Sequence, residues 1–226
     1  MNTLSVLGKI LELNAGIEEL NFVELKGSAI IQDSMETNPE EKKQIELAMD
    51  IRDRYHFSFW DCLCSTFINN NNYSKGLLNC AYHHNYNDEV ISISRERYSQ
   101  IDQHLDREKK YAILSRVLFM DQKVYHLPMI DFHCNSTEKN VRLAEDLIEI
   151  LEIGAGYLLD SGESFHFIGT QLINEMEFGP YLGKLIMYSP IIDKSWIAHQ
   201  LIEGSCALRV TQKKEVLPTV IKGIGI

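Results

Sequence analysis

The chain has 226 residues, 45% hydrophobic and 24% charged, which is the composition of a globular protein long enough to bury a substantial core. A formal net charge of −10, from 22 basic and 32 acidic side chains, excludes a protein that coats nucleic acid through bulk charge, while leaving a local basic groove open. No apolar run approaches the roughly 20 residues of a membrane span. The N-terminal stretch MNTLSVLGKILELNAGIEEL carries Glu18 and Glu19 and lacks a small-residue cleavage site, so a cytoplasmic protein with no membrane partner is expected.

Leu4, Leu7, Ile10, Leu11 and Leu13 predict a helix within residues 3–20. Asn38-Pro39-Glu40-Glu41 is a helix start, with an N-cap, proline in the first turn and acids beside the positive end of the dipole, so residues 38–55 read as a helix. Ser58-Phe-Trp-Asp61 is a second capping signal, leading into CLCSTFI, and Asn69–Asn72 opens a loop. Five cysteines, Cys62, Cys64, Cys80, Cys134 and Cys206, contain no CxxC pair. That argues against a zinc site and for reduced thiols.

After this point the texture changes. GLLNCAYHH, DEVISISRE, YAILSRVLFM and KVYHLPMIDFHC read as strands, with Asp121-Gln122 turning between the last two. Thr137 caps an amphipathic helix over 137–153, GAGYLLD and SFHFIG form a hairpin, residues 171–187 and 193–203 are helical, and CALRVT and VLPTVI are strands. The fold class is α+β: one mainly antiparallel sheet from 77–134 and 155–222, packed by helices. It would follow an N-terminal, mostly helical part, residues 1–76, and residues 77–226 would be the domain that carries the chemistry.

In MIDFHC, period-two geometry puts Asp131 and His133 on one face of a strand. One helix later comes Ser161-Gly162-Glu163-Ser164-Phe165-His166, in which Ser164 and His166 share a face and Phe165 and Phe167 take the other. Then follow Ile192-Asp193 and, in CALRVT, Arg209 between apolar neighbours. Each residue also has a plain reading. Asp131 and His133 are a polar pair on a surface strand, His166 lies beside a turn, Asp193 caps the helix that follows, and Arg209 pairs with an acid. His83-His84 read as a solvated turn, Trp196 and His199 as helix packing, and Arg95 and Arg97 as a solvated helix start.

This order of motifs resembles the archaeo-eukaryotic primase superfamily, the primase-polymerases, over roughly residues 77–226, and looks most like small bacterial primase-like proteins with one acid in the first motif. The resemblance implies an RRM-like, primase-type sheet and a nucleotidyltransferase that binds a nucleoside triphosphate with Mn²⁺ or Mg²⁺. On that reading Asp131, His133 and Asp193 are the catalytic metal ligands, and Ser161, Gly162, Ser164, His166 and Arg209 bind the nucleotide. The turn's N–H groups would grip phosphate oxygens, Gly162 would avoid crowding them, and Arg209 would neutralise charge. Nucleic acid is an implied partner, and the N-terminal part is where a protein partner would dock.

His133 departs from the motif, where polymerising members carry an acid. Magnesium prefers hard oxygen ligands, and imidazole suits softer ions. Asp-x-His therefore implies a site leaning to Mn²⁺, a one-metal site, or a primase-fold module that binds nucleotide or nucleic acid without polymerising, within a larger assembly.

Overall fold

The structure, a computed structural model, describes residues 1–68, 73–83, 90–106, 108–212 and 215–226, without the side chains of residues 27–30. The chain divides into two compact units, one made of Met1–Glu24 with Glu89–Ile226 and the other of Leu25–Asp88. The expected boundary at residue 76 is therefore replaced by an insertion: the first 24 residues belong with the long C-terminal part.

The helix expected over 3–20 is short. α1 (Thr3–Leu13) ends at Asn14, and Ile17–Glu24 forms a strand, β1. Gly16 marks the change: a Cβ there would lie 2.0 Å from the Phe119 ring, so only glycine lets β1 begin against its neighbour. Arg95 closes the end of α1. Its Nη2 donates to the Leu11 carbonyl and its Nη1 to those of Asn14 and Ile17, at 2.5, 3.0 and 3.4 Å. That satisfies acceptors a helix C-terminus leaves open, and it is neither the phosphate contact nor the solvated arginine considered from sequence.

The inserted unit is helical. α2 (Gly27–Thr37), α3 (Pro39–Tyr55), α4 (Phe59–Thr66) and α5 (Lys75–Tyr82) gather Ile31, Ile45, Ala48, Cys62, Leu63, Leu77 and Ala81 into a core of their own. The caps read from sequence hold: Asn38 Oδ1 accepts the N–H groups of Glu40 and Glu41, and Ser58 Oγ accepts that of Asp61. The strand expected at GLLNCAYHH is instead α5, started by Ser74, whose Oγ accepts the Leu77 N–H at 3.1 Å. Leu77 and Ala81, one helical turn apart, are its buried residues. The loop at Asn69–Asn72 and His84 lie outside the described residues.

The chain returns through β2 (Ile91–Ser94), a 3-10 segment (Arg95–Gln103), β3 (Tyr111–Leu114), β4 (Arg116–Phe119), β5 (Val124–His126), β6 (Met129–Asp131), α6 (Glu138–Ile150), β7 (Gly156–Asp160), β8 (Phe165–Gly169), β9 (Ile173–Asn174), α7 (Glu175–Ile186), α8 (Lys194–Glu203), β10 (Ala207–Arg209) and β11 (Thr219–Ile224). Among the described residues all strand pairings are antiparallel, in keeping with the α+β class. Two sheets form where one was expected. β1 pairs with β2, β3 and β4; β3 continues to β10, and β4 to β5 and β9. The second sheet runs β11-β7-β8-β6. The split falls inside KVYHLPMIDFHC, because Pro128 offers no N–H for a continuous ladder, and β5 and β6 on either side of it join different sheets.

β8 is the centre of the second sheet, and all five of its residues are buried. Phe165 and Phe167 are fully inaccessible, and Phe165 meets Phe132 edge to face with centroids 6.4 Å apart. Phe165→Ala should cost roughly 3–5 kcal/mol in urea denaturation through the cavity it leaves. Gly156→Ala should also destabilise, since its Cβ would meet the Ile168 carbonyl at 2.6 Å and the Phe167 ring at 2.3 Å.

Candidate functional site

The pairing of β6 with β8 puts Asp131 directly opposite His166, with Oδ1 3.7 Å from Nε2. Phe132 bridges Ile192 in the antiparallel sense, so Asp193 stands opposite Asp131 on the other side, and its N–H donates to the Asp131 carbonyl at 3.3 Å. The backbones of His166, Asp131 and Asp193 therefore lie in one cross-strand row, contributed by three segments far apart in sequence. Directly opposed residues share a face and are close enough for their side chains to interact.

His166 is more enclosed than the turn suggested, at 6% exposure, whereas the Asp131 side chain is 29% exposed. The expected open face beside Ser164 is thus covered at His166, and the accessible edge of the pair is the carboxylate. His133 does not join the row. β6 ends at Asp131, and His133 is exposed, its N–H spent on the Ile191 carbonyl at 2.8 Å. Asp193 is the N-cap of α8: its Oδ1 accepts the N–H groups of Ser195 and Trp196 at 2.8 and 3.2 Å. Among the described residues no three His, Cys, Asp or Glu side chains are gathered closely enough to hold a metal ion. Asp131, His133 and Asp193 do not fit as a preformed ligand trio.

The Ser-Gly turn is built by its own bonds. Ser161 N–H donates to the Ser164 carbonyl at 2.9 Å, Ser161 Oγ to the same carbonyl at 3.0 Å, and Gly162 N–H to Asp160 Oδ1 at 2.7 Å. Two of the turn's N–H donors, those of Ser161 and Gly162, are therefore already occupied. Gly162 has φ +103°, and a Cβ there would lie 2.9 Å from Val216 Cγ1. Backbone conformation and Val216 account for this glycine. Asp160 was not singled out from sequence, although Asp-Ser-Gly is an Asx-turn signal.

Arg209 crosses from the first sheet to this turn. Its Nη2 donates to the Ser161 carbonyl at 2.7 Å, and its Nη1 to the carbonyls of Thr211 and Val216. Burial lowers the guanidinium pKa from its ordinary value, against the opposing fields of Asp131 and Glu163. Arg209 is thus a positive charge beside the Asp131–His166 pair, and also the clamp that ties β10 and the segment before β11 to the turn. Glu163, absent from the sequence-based set, is the second acid in that field.

A family model described as archaeo-eukaryotic primase 1D-like (AEP-like) matches residues 89–222, more than half of the chain. The chain belongs to this primase family. No curated protein and no solved structure shows significant similarity to it. The primase-like match opens where the chain returns to the larger unit and covers β2 through most of β11, so it contains the whole row and the turn. It leaves out α1 and β1, which the structure nevertheless builds into the same unit. Trp196 and His199 are packing residues, as read from sequence: Trp196 Nε1 donates to the Ala207 carbonyl at 3.0 Å, and His199 is buried.

Capping and ligation at Asp193 separate by substitution. Asp193→Ala should cost about 1 kcal/mol in urea denaturation, because two α8 N–H groups lose their acceptor. Asp193→Asn keeps an acceptor and should stay within a few tenths of wild type.

Proposed function

We propose that this primase-family chain binds a nucleoside triphosphate at the Asp131–His166 pair and transfers a nucleotide from it. The observation that carries the reading is the direct opposition of Asp131 and His166 at 3.7 Å, with Asp193 opposite Asp131, since three family motifs converge there in one row. Asp131 would be the protein's oxygen ligand to a Mn²⁺ or Mg²⁺ ion brought with the nucleotide, since among the described residues no trio is gathered to hold a resident ion. His166 donates to a phosphate oxygen, and Arg209 supplies positive potential from behind the Ser161 turn. Nucleic acid is the template or acceptor, the helical unit 25–88 is the place for a protein partner, and the setting is cytoplasmic.

A second reading has its own support. Asp193 Oδ1 is spent on a helix cap and His133 lies outside the row, which leaves two-metal phosphoryl transfer short of ligands. On this reading the chain binds nucleotide, or nucleic-acid ends, without extending them. Incorporation of labelled nucleotide on a primed template, with Mn²⁺ or Mg²⁺, decides between the two. Product that depends on metal and vanishes in Asp131→Ala supports transfer, whereas tight calorimetric binding with no product supports the module.

Either reading expects His166→Ala to weaken triphosphate binding about tenfold or more, the loss of a hydrogen bond to a charged group. Unchanged affinity in a folded variant would reject the site. Asp193→Asn should leave binding nearly unchanged if Asp193 serves as a cap, and should abolish incorporation if its charge is a ligand.

A further inference from the structure

Away from the candidate site, one fully buried titratable side chain joins four elements. His126 of β5 stacks on Phe178 of α7, with centroids 3.8 Å apart and planes inclined by 13°. Its Nδ1 lies 3.0 Å from Ser115 Oγ, in the bend between β3 and β4, and its Nε2 lies 3.0 Å from Glu175 Oε2, in the first turn of α7. Ser115 Oγ also accepts the Cys206 N–H at 2.8 Å, just before β10, and approaches Ser205 Oγ at 3.3 Å.

Donor and acceptor counting, with burial, favours one state of the ring. An ionised carboxylate only accepts, so Nε2 carries a hydrogen toward Glu175, and the neutral imidazole offers Nδ1 as an acceptor. Ser115 has one hydroxyl hydrogen, and Nδ1 receives it. Ser205 takes the Arg116 N–H and gives its own hydrogen to the Cys206 carbonyl, both at 3.3 Å. With His126 neutral and hydrogen on Nε2, every member is satisfied without moving a hydroxyl. A proton on Nδ1 would point at the Ser115 hydroxyl hydrogen, force that hydroxyl to turn toward Ser205, and leave a cation in a site closed to water.

We propose that the Glu175–His126–Ser115 chain is a proton-gated latch between the first turn of α7 and the bend of β3 and β4, closed while His126 is neutral and loosened when it takes up a proton. The charged and titratable groups around it are Glu175 on α7, Arg116 on β4, opposite His126 in register, and the Cys206 thiol just before β10, which burial keeps protonated. Burial lowers the pKa of His126 from its ordinary value, Glu175 partly opposes this, and Arg116 adds to it. The latch also bears on the second sheet, because Tyr181 of α7 donates to the Met129 carbonyl of β6 at 2.8 Å, two residues before Asp131.

The sign follows from the lowered pKa. The unfolded chain binds the proton more readily, so the stability contributed by neutral His126 is present above the ordinary histidine range and is lost as pH falls through it. Thermal unfolding of the full chain at about pH 7.5 and about pH 5.5 brackets that range. Wild type should lose ~3 °C or more beyond the loss shown by His126→Gln, which has nothing to titrate. Equal losses would overturn the latch. Should His126→Gln not fold, nitrogen NMR of the wild-type ring decides: hydrogen on Nε2 at neutral pH, with a midpoint below the ordinary value, supports it, and hydrogen on Nδ1 or an ordinary midpoint overturns it. Amide exchange, corrected for pH, should rise at residues 175–178 before it rises elsewhere; a uniform rise would also overturn it.

Discussion

The register of Met129–Asp131 against Phe165–Gly169 governs everything in the site. Side chains alternate along a strand, so a slip of one residue would carry Asp131 to the face of Phe165 and Phe167 and bring Phe132 out of the core. Burying Phe132, Phe165 and Phe167 together is what forbids the slip. The aromatic face therefore fixes the polar one. Asp131 meets His166 because three phenylalanines have one arrangement that keeps them dry. The apolar cost of moving those rings, roughly 1.5–3 kcal/mol for each one exposed, exceeds what a 3.7 Å Asp–His contact contributes.

The same logic accounts for the inserted helices. β1 and β2 pair from Phe22–Ile91 to Glu19–Ser94, as the arms of a hairpin do, but their connection is the whole 25–88 unit. Loop-closure cost rises only slowly with length, so such an insertion is tolerable when the inserted segment stabilises itself. This one does, with its own core and with Asn38, Ser58 and Ser74 capping α3, α4 and α5.

What could be read from the sequence were features whose causes are local. Asn38-Pro39 and Ser58-x-x-Asp61 name their own caps, Thr137 opens α6, and Ser-Gly between two apolar runs gives the β7–β8 hairpin. What could not be read depends on distant partners. Residues 17–24 follow a good helix and carry an apolar pattern compatible with either period, and only β2, β3 and β4 make them a strand. GLLNCAYHH looked like a strand because apolar runs of that length serve both states; Ser74 and the Leu77–Ala81 spacing decide it. The Asp131–His166 meeting followed from motif order, but the burial of His166, the capping role of Asp193 and the exit of His133 depend on where strands end. His126 gave no signal at all, since Ser115 and Glu175 lie in other elements.

Electrostatics then sets how an anionic ligand can be held. The chain carries a net charge of −10, so its overall field repels a free triphosphate. Arg209 is the cation beside the pair, yet its donors are engaged by the carbonyls of Ser161, Thr211 and Val216. It offers potential more than direct hydrogen bonds. The N–H groups of Ser161 and Gly162 are engaged too, the second by the Asp160 carboxylate. On the proposed function, a triphosphate that carried its own divalent cation would remove most of the repulsion and could meet the partly exposed Asp131 carboxylate. The hydrogen bond proposed for His166 would then gain direction from a ring enclosed between Leu159 and Asp131 in the strand register.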